Sequence, residues 1–294
     1  MNETWTSLKL IQWTADYFEK MGIPNPRLDA ELLLAHVLKA KRIDLYTQFE
    51  KTVLEKHLVP FKELLQRRAK REPLQYILGE TEFWGCKIEV TPDVLIPRPE
   101  TELLVEWALK EGQARGPAPT DPNILDIGTG TGCIAIALAT HIPTARVIAT
   151  DHSKPALEVA QRNIASHHLA DRVALLPSDL APWKSFEAEG QKFDLIISNP
   201  PYIRTDQLEL LQPEVRDFEP RVALNGGKDG LDFYRRITQD APRFLKPDGR
   251  LLLEIGEDQG EAVMCLMTQV GLVVECRKDW SDHDRVVIGK NRAM

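Results

Sequence analysis

Between residues 124 and 255 short apolar runs recur: ILDI (124–127), RVIAT (146–150), RVALL (172–176), DLIIS (194–198) and RLLLEI (250–255). Runs of this length without polar alternation fit strands buried on both faces, as in a parallel sheet covered by helices. The intervals hold CIAIALATH and ALEVAQRNIASHH, long enough for the crossover helices that parallel strands require. The alternation therefore predicts a doubly wound α/β sheet. GLVVECRK (271–278) and DRVVIGK (284–290) suit a final strand pair, antiparallel at the edge.

The first 80 residues have a different texture. Ala30, Leu33, Leu34, Val37 and Leu38 fall at helical spacing, and Leu54, Leu58, Phe61 and Leu65 repeat the pattern. They predict a small helical bundle. FWGCKIEV and DVLIPR, separated by Thr91-Pro92, read as a β-hairpin, followed by a helix from about Pro99 to Lys110. GQARGPAPTDPN (112–123) reads as a surface linker inside the larger domain. The expected organisation is a helical bundle over 1–80, a hairpin connector over 81–98 and an α/β domain over 99–294.

Composition narrows the function classes. A length of 294 residues suits about two domains, with core enough to fold without staples. The net charge of −7, from 37 Lys and Arg against 44 Asp and Glu, disfavours a dedicated nucleic-acid binder. Cys86, Cys133, Cys265 and Cys276 form no CxxC pair and show no metal-ligand spacing, so no metal is expected. They fit reduced thiols and a cytoplasmic location. No run is long enough to span a membrane, and MNETWTSLKLIQWTADYF lacks the basic-then-apolar order of a signal peptide.

The segment ILDIGTGTGCIAIALA places Asp126 at a strand end, then Gly128, Gly130 and Gly132, then a helix. Glycines there let a ligand lie against the loop and the helix N-terminus. The spacing differs from the dinucleotide fingerprint G-x-G-x-x-G, because position 133 is Cys. No Lys or Arg stands near the loop to meet a pyrophosphate, and Asp126 suits a ligand with a cationic amino-acid end. Asp151 closes the next strand, where a carboxylate can accept from ribose hydroxyls. Asp179, after the third strand, can reach an adenine edge. A glycine loop with two acids at successive strand ends resembles the S-adenosylmethionine site of class I methyltransferases. The bland alternative for the loop by itself is a plain strand-to-helix turn.

The fourth run leads straight into Asn199-Pro200-Pro201-Tyr202. The prolines stiffen the turn and leave carbonyls free to accept. The Asn199 side-chain oxygen and the Pro200 carbonyl can take the two N–H bonds of a planar NH2 group while Tyr202 packs on its face. That constellation suits methylation of an amide or exocyclic amine, and matches the amino-methyltransferases of DNA and of protein glutamine. The bland alternative is a rigid proline turn.

Longer stretches are more specific. RLDAELLLAHVL, EPLQYILGETEFWG, LIPRPETELLVE, SNPPYI, FEPRVALNGGKDGLDFYRRI, LLLEIGEDQGEAV and DHDRVVIG resemble, in order, the release-factor glutamine methyltransferase (PrmC/HemK) family over essentially the whole chain. The resemblance implies S-adenosylmethionine as cofactor and, as substrate, the glutamine N5 in the Gly-Gly-Gln motif of peptide chain release factors. By position it implies that Gly128, Thr129, Gly130, Thr131, Gly132 and Asp151 hold the cofactor. Asp179 and Leu180 would border its adenine, with no stacking plane at Leu180. Asn199 would touch both donor and glutamine, Asn199 to Tyr202 would clamp the amide, and Arg98 and Glu100 would line the pocket. A hairpin-to-helix entry explains Arg98 and Glu100 as well, and Asn225-Gly226-Gly227 reads equally as a surface turn. The helical domain is expected to recognise the protein substrate. Two rivals share the clamp: a ribosomal-protein glutamine methyltransferase and an adenine-N6 nucleic-acid enzyme. The second finds its best footing in Arg67, Arg68, Lys70 and Arg71, a cluster that also fits a solvated helix face. No stable nucleic-acid or membrane partner is expected.

Overall fold

The computed structural model describes residues 4–47, 49–113 and 121–291. It divides into two compact units. Most of the 112–123 linker lies outside the described residues.

Unit 1 comprises residues 1–79 together with 212–218. Its helices are α1 (Ser7–Lys20), α2 (Pro26–Leu38), α3 (Arg42–Thr47), α4 (Glu55–Ala69) and α5 (Leu74–Leu78). The Thr6 side chain caps α1 by accepting from Lys9 N, and Pro26 opens α2, where its missing N–H costs nothing. The predicted faces meet as a core: Ala30, Leu33 and Leu34 of α2 pack with Phe61 and Leu65 of α4 and Phe18 of α1. Leu54 instead precedes α4 and is exposed.

The basic cluster is neither a free patch nor a solvated face. Arg68 is 5% exposed and donates to Asp29 at 2.7 Å and to Glu214 at 3.1 Å. Arg71 reaches Glu214 at 2.7 Å, and Arg67 pairs with Glu72 at 2.5 Å. Three of the four cations are thus consumed inside unit 1, and Lys70 alone of them is exposed. The arginines bind the late segment 212–218 to the helices, and removing one partner would leave a buried charge uncompensated.

Unit 2 spans residues 80–211 and 219–294. It opens on β1 (Glu80–Phe83) and β2 (Cys86–Glu89), an antiparallel hairpin. The hairpin was expected across Thr91-Pro92, and the structure moves it one run earlier. Trp84 and Gly85 both have positive φ, 51° and 72°, the backbone a two-residue turn between twisted strands needs. DVLIPR, with three prolines in and beside it at 92, 97 and 99, forms no strand.

The chain continues through α6 (Thr101–Gln113), β3 (Asn123–Ile127), α7 (Cys133–His141), β4 (Arg146–Asp151), α8 (Lys154–Ser166) and β5 (Val173–Pro177). Then come α9 (Trp183–Glu189), β6 (Phe193–Ser198), α10 (Pro213–Phe218, counted with unit 1), α11 (Asp232–Asp240), β7 (Leu245–Glu254), α12 (Gly260–Gln269), β8 (Val273–Lys278) and β9 (Asp284–Lys290). Strand order is β5-β4-β3-β6-β7-β9-β8, with β9 antiparallel to both neighbours and the other pairings parallel. The doubly wound sheet and its antiparallel edge are as the apolar runs indicate. From β3 the chain winds outward to β4 and β5, then returns to β6 on the other side. This reversal opens a crevice beyond the carboxyl ends of β3 and β6. No helix among the described residues is long and apolar enough to cross a membrane.

Candidate active site

A cavity of about 550 Å³ lies at this crevice. Its walls come from successive strand ends: Gly128 and Gly130 after β3, Asp151 closing β4, Asp179 and Leu180 after β5, and Asn199 to Pro201 after β6. Gly128 and Gly130 have φ of +73° and +54°, and a Cβ on either would meet no atom within 4 Å. The glycines are there for backbone conformation, and they leave the loop open toward the cavity. Thr129, Thr131 and Gly132 do not line it: both threonines are buried, and a Cβ on Gly132 would meet Ala160 at 3.4 Å.

The Asp151 carboxylate accepts from Gly130 N at 2.9 Å and from Ser153 N at 2.8 Å. Each oxygen keeps a lone pair for a ligand hydroxyl. Asp126 stands deeper, with no exposed surface. Thr129 donates to its Oδ2 at 2.6 Å, while Oδ1 has no hydrogen-bond partner. Burial pushes its pKa up to about 7. Asp179 is held at 2.7 Å by Arg236, so it meets any ligand as half of an exposed ion pair. Leu180 offers no aromatic face; Phe233 of α11 lines the same cavity, with the Arg236 guanidinium 5.8 Å over its ring. Phe233 sits in a quoted stretch whose apolar spacing gives no hint of a ligand role.

The Asn199 turn is pinned on both sides. Ser198 is buried and donates to Ile127 O at 2.7 Å, tying the ends of β6 and β3 together. Asn199 Nδ2 donates to Thr101 Oγ1 at 3.0 Å. Beyond the turn, Ile203 N donates to Leu224 O at 2.9 Å and Gly226 N to Ile203 O at 2.8 Å. Gln259 Nε2 holds Tyr202 O at 3.1 Å. Asn225-Gly226-Gly227 is therefore the backing of this turn, and Gly226 is buried. Tyr202 lines a second cavity of about 930 Å³ with Arg204, Gln259 and Arg285, and burial pushes its pKa up to about 12. Arg98 and Glu100 line neither cavity: Arg98 pairs at 2.5 Å with buried Glu219, and Glu100 is exposed.

Sequence reasoning passed over Glu254, which closes β7 and is 1% exposed. Its signal was the acid ending an apolar run, as at Asp126. Burial pushes its pKa up to about 7, and Oε2 has no hydrogen-bond partner. Among the described residues, no group of three or more His, Cys, Asp or Glu could hold a metal ion.

The two raised carboxyls fix a pH dependence. In the folded chain they keep protons that an unfolded Asp or Glu has already lost by about pH 4. Their contribution is full below that pH and is lost as pH rises through about 7. Asp29 and Glu219 are raised by burial and act in the same sense. Glu31, Glu214 and Asp229 are lowered and act only in more acid solution. Calorimetry of the ligand-free protein should show the melting temperature falling between roughly pH 4 and 7. Asp126→Asn should flatten that fall by raising the melting temperature at the alkaline end. A variant that tracks the wild type across the range contradicts the assignment.

Sheet order, glycine loop and strand-end acids define a class I methyltransferase fold with a helical N-terminal domain. Residues 9–79 match the PrmC N-terminal domain and residues 101–213 the methyltransferase small domain. The chain is 47% identical to the release factor glutamine methyltransferase of Geobacter sulfurreducens, over 98% of each chain. It is 42% identical to that of Rhodopirellula baltica, over 97% of each. The chain belongs to the release factor glutamine methyltransferase family. Among solved structures, a methyltransferase from Pyrococcus furiosus superposes with a TM-score of 0.53 at 20% identity, covering 77% of this chain and 98% of that one. The hMettl16 catalytic domain does so with a TM-score of 0.55 at 17% identity, covering 82% and 84%. At these identities they speak for the fold alone.

Proposed function

We propose that the chain transfers a methyl group from S-adenosylmethionine to the side-chain N5 of the glutamine in the Gly-Gly-Gln motif of peptide chain release factors. The observation that carries the reading is the position of Asn199, Pro200 and Pro201 on the wall of the cavity that Gly128, Gly130 and Asp151 also line. The residues fit such a cofactor. Asp151 has lone pairs for two ribose hydroxyls and Phe233 lines the cavity, whereas Asp126 has no exposed surface and does not line it, so it acts at most through the loop it holds by Thr129. When bound, the cofactor supplies an electrophilic methyl on a sulfonium.

The chain's own part is to make a poor nucleophile competent. An amide nitrogen has its lone pair delocalised. Asn199 Oδ1 and the Pro200 carbonyl take its two N–H bonds and orient the lone pair toward the methyl. A donor held by the Gly128–Gly130 loop and Asp151 would supply the methyl and leave with the electron pair of the broken bond, while Asn199 Oδ1 and the Pro200 carbonyl would hold the N–H groups until the methylated amide has released one proton to water. Tyr202 lines the second cavity and not the one that Asn199 and Pro200 border, so the expected packing of its ring on the amide forms no part of this reading. The helical unit recognises the release factor and supplies affinity that one glutamine cannot. The pairing of the arginine cluster inside unit 1 removes the main footing of a nucleic-acid substrate.

The test is transfer of labelled methyl to purified release factor, beside a factor whose Gly-Gly-Gln glutamine is changed to Ala. Label on the first and not the second is expected; label on both refutes the site. At the cofactor, Asp151→Ala should weaken binding by about 10–100-fold, since hydrogen bonds to a charged group run about 1.5–3 kcal/mol. Calorimetry showing unaltered affinity would remove Asp151 from the site.

A further inference from the structure

Gln259 is buried at 7% exposure, and the methylation reading gives it no task. It stands at the N-cap position of α12, where Ser, Thr, Asp and Asn are the residues that serve a helix. Its side chain makes no cap hydrogen bond to α12 and turns instead to the loop after β6. β6 and β7 run parallel with Ser198 opposite Leu253, so the loops that leave them emerge side by side. Gln259 thereby reaches the end of the Asn199-to-Tyr202 turn from 57 positions away in sequence.

The contacts of this amide are complete and fix its direction. Nε2 donates to Tyr202 O at 3.1 Å and to Gly230 O at 3.2 Å, and Oε1 accepts from Gly256 N at 2.9 Å. A carbonyl can only accept and a backbone N–H can only donate, so an amide turned by 180° would lose all three bonds. The Tyr234 hydroxyl approaches Oε1 to 3.4 Å while donating to Glu254 O at 2.8 Å. Glycines leave room for the side chain. A Cβ on Gly230 would press on Tyr202 O and stand 2.6 Å from Gln259 Nε2, and one on Gly256 would stand 3.1 Å from Oε1.

The acceptor at Pro200 is where this matters. A proline ring fixes φ and leaves ψ free, so the two prolines alone do not decide where the Pro200 carbonyl points. Its direction follows from how the two ends of the turn are held. Ser198 and Thr101 hold the Asn199 end, and Gln259 holds Tyr202 O at the other. We infer that Gln259 is a positioning residue that fixes the Tyr202 end of the turn and so sets the Pro200 carbonyl against the substrate's N–H groups. The inference rests on the reading of Asn199 and Pro200 as acceptors for the glutamine amide. Gln259 lines the second cavity and not the one that Gly128 and Asp151 line, so its loss leaves the cofactor site in place.

The test compares Gln259→Met, Gln259→Glu and Asn199→Ala with the wild type at pH 9, with release factor as substrate and cofactor affinity measured by calorimetry. Gln259→Met keeps the length of the side chain and removes the amide. Gln259→Glu keeps an acceptor for Gly256 N–H but turns oxygen toward both carbonyls. Because Gln259 borders the second cavity, the introduced carboxyl is ionised at pH 9. Both Gln259 variants should lower kcat by about 10–100-fold, while KM for release factor and cofactor affinity stay within about threefold. A Gln259→Glu enzyme as fast as wild type would assign the residue to the Gly256 turn and overturns the inference. So does a Gln259→Met enzyme of normal kcat, or one whose cofactor affinity falls as far as its kcat. Gln259→Met decides the matter should Gln259→Glu fail to fold. A normal kcat in Asn199→Ala sinks the clamp and this inference with it. A slow Asn199→Ala beside a fast Gln259→Met sinks the inference alone.

Discussion

Replacing Asn199 with alanine is expected to lower kcat for release-factor methylation by about 10²–10³-fold, the range seen when one preorganised polar group is removed from a reacting centre. Cofactor affinity should change by less than about threefold, because the glycine loop and Asp151 belong to other strands. The size follows from what the side chain has to do. The glutamine nitrogen reacts only when its lone pair is freed from the carbonyl, and the freed geometry is held through its two protons. One of the two acceptors is a carbonyl of a stiff proline turn and survives the substitution. The other is Asn199 Oδ1, whose direction is set through Nδ2 on Thr101. With alanine there, the amide keeps one anchor and can rotate about it. Single-turnover rates at saturating cofactor check this directly. A kcat within about twofold of wild type would mean that the Pro200 carbonyl suffices, and the clamp would have to be redrawn around it.

The fold was legible where a single run of residues decides the outcome. ILDI, RVIAT and DLIIS are mostly apolar with no polar alternation, and no exposed element could carry them, so β3, β4 and β6 follow. The glycine loop was legible for the same reason, since three alternate glycines between a strand and a helix have few other uses. Contacts set by distant residues were not legible. Arg68 finds Asp29 at a separation of 39 residues and Glu214 at 146, and no local pattern marks either partner. The hairpin was misplaced because a Thr-Pro pair is a stronger turn signal than Trp-Gly. Trp84 adopts positive φ only because the strands on both sides pair. Thr101 lay inside a quoted motif, but its meaning depends on the tertiary arrangement that brings it to the Asn199 side chain.

Gly226→Ala should be nearly as damaging as loss of Asn199, without touching any ligand. A Cβ on Gly226 would stand 2.7 Å from Tyr202 Cα, 2.8 Å from Pro201 O and 2.9 Å from Gly230 O. All three are backbone atoms of well-held turns, so no flexible side chain can swing aside. The Asn199-to-Tyr202 turn must move, and it is tied to this strip at Ile203 on both faces. Overpacking of this kind costs about 1–3 kcal/mol of stability, which the fold should survive. Catalysis is less forgiving, because misplacing a reacting group by about 1 Å can cost about 10²-fold. The expected result is a folded protein with near-normal cofactor affinity and a kcat reduced about 10²-fold. Calorimetric binding and single-turnover rates on the same sample separate the two effects. Equal loss of binding and turnover would indicate a collapsed cavity, and unaltered turnover would show that the turn tolerates the shift. The strip that reads as a surface turn in sequence is then a catalytic requirement at one remove: it sets where the clamp stands.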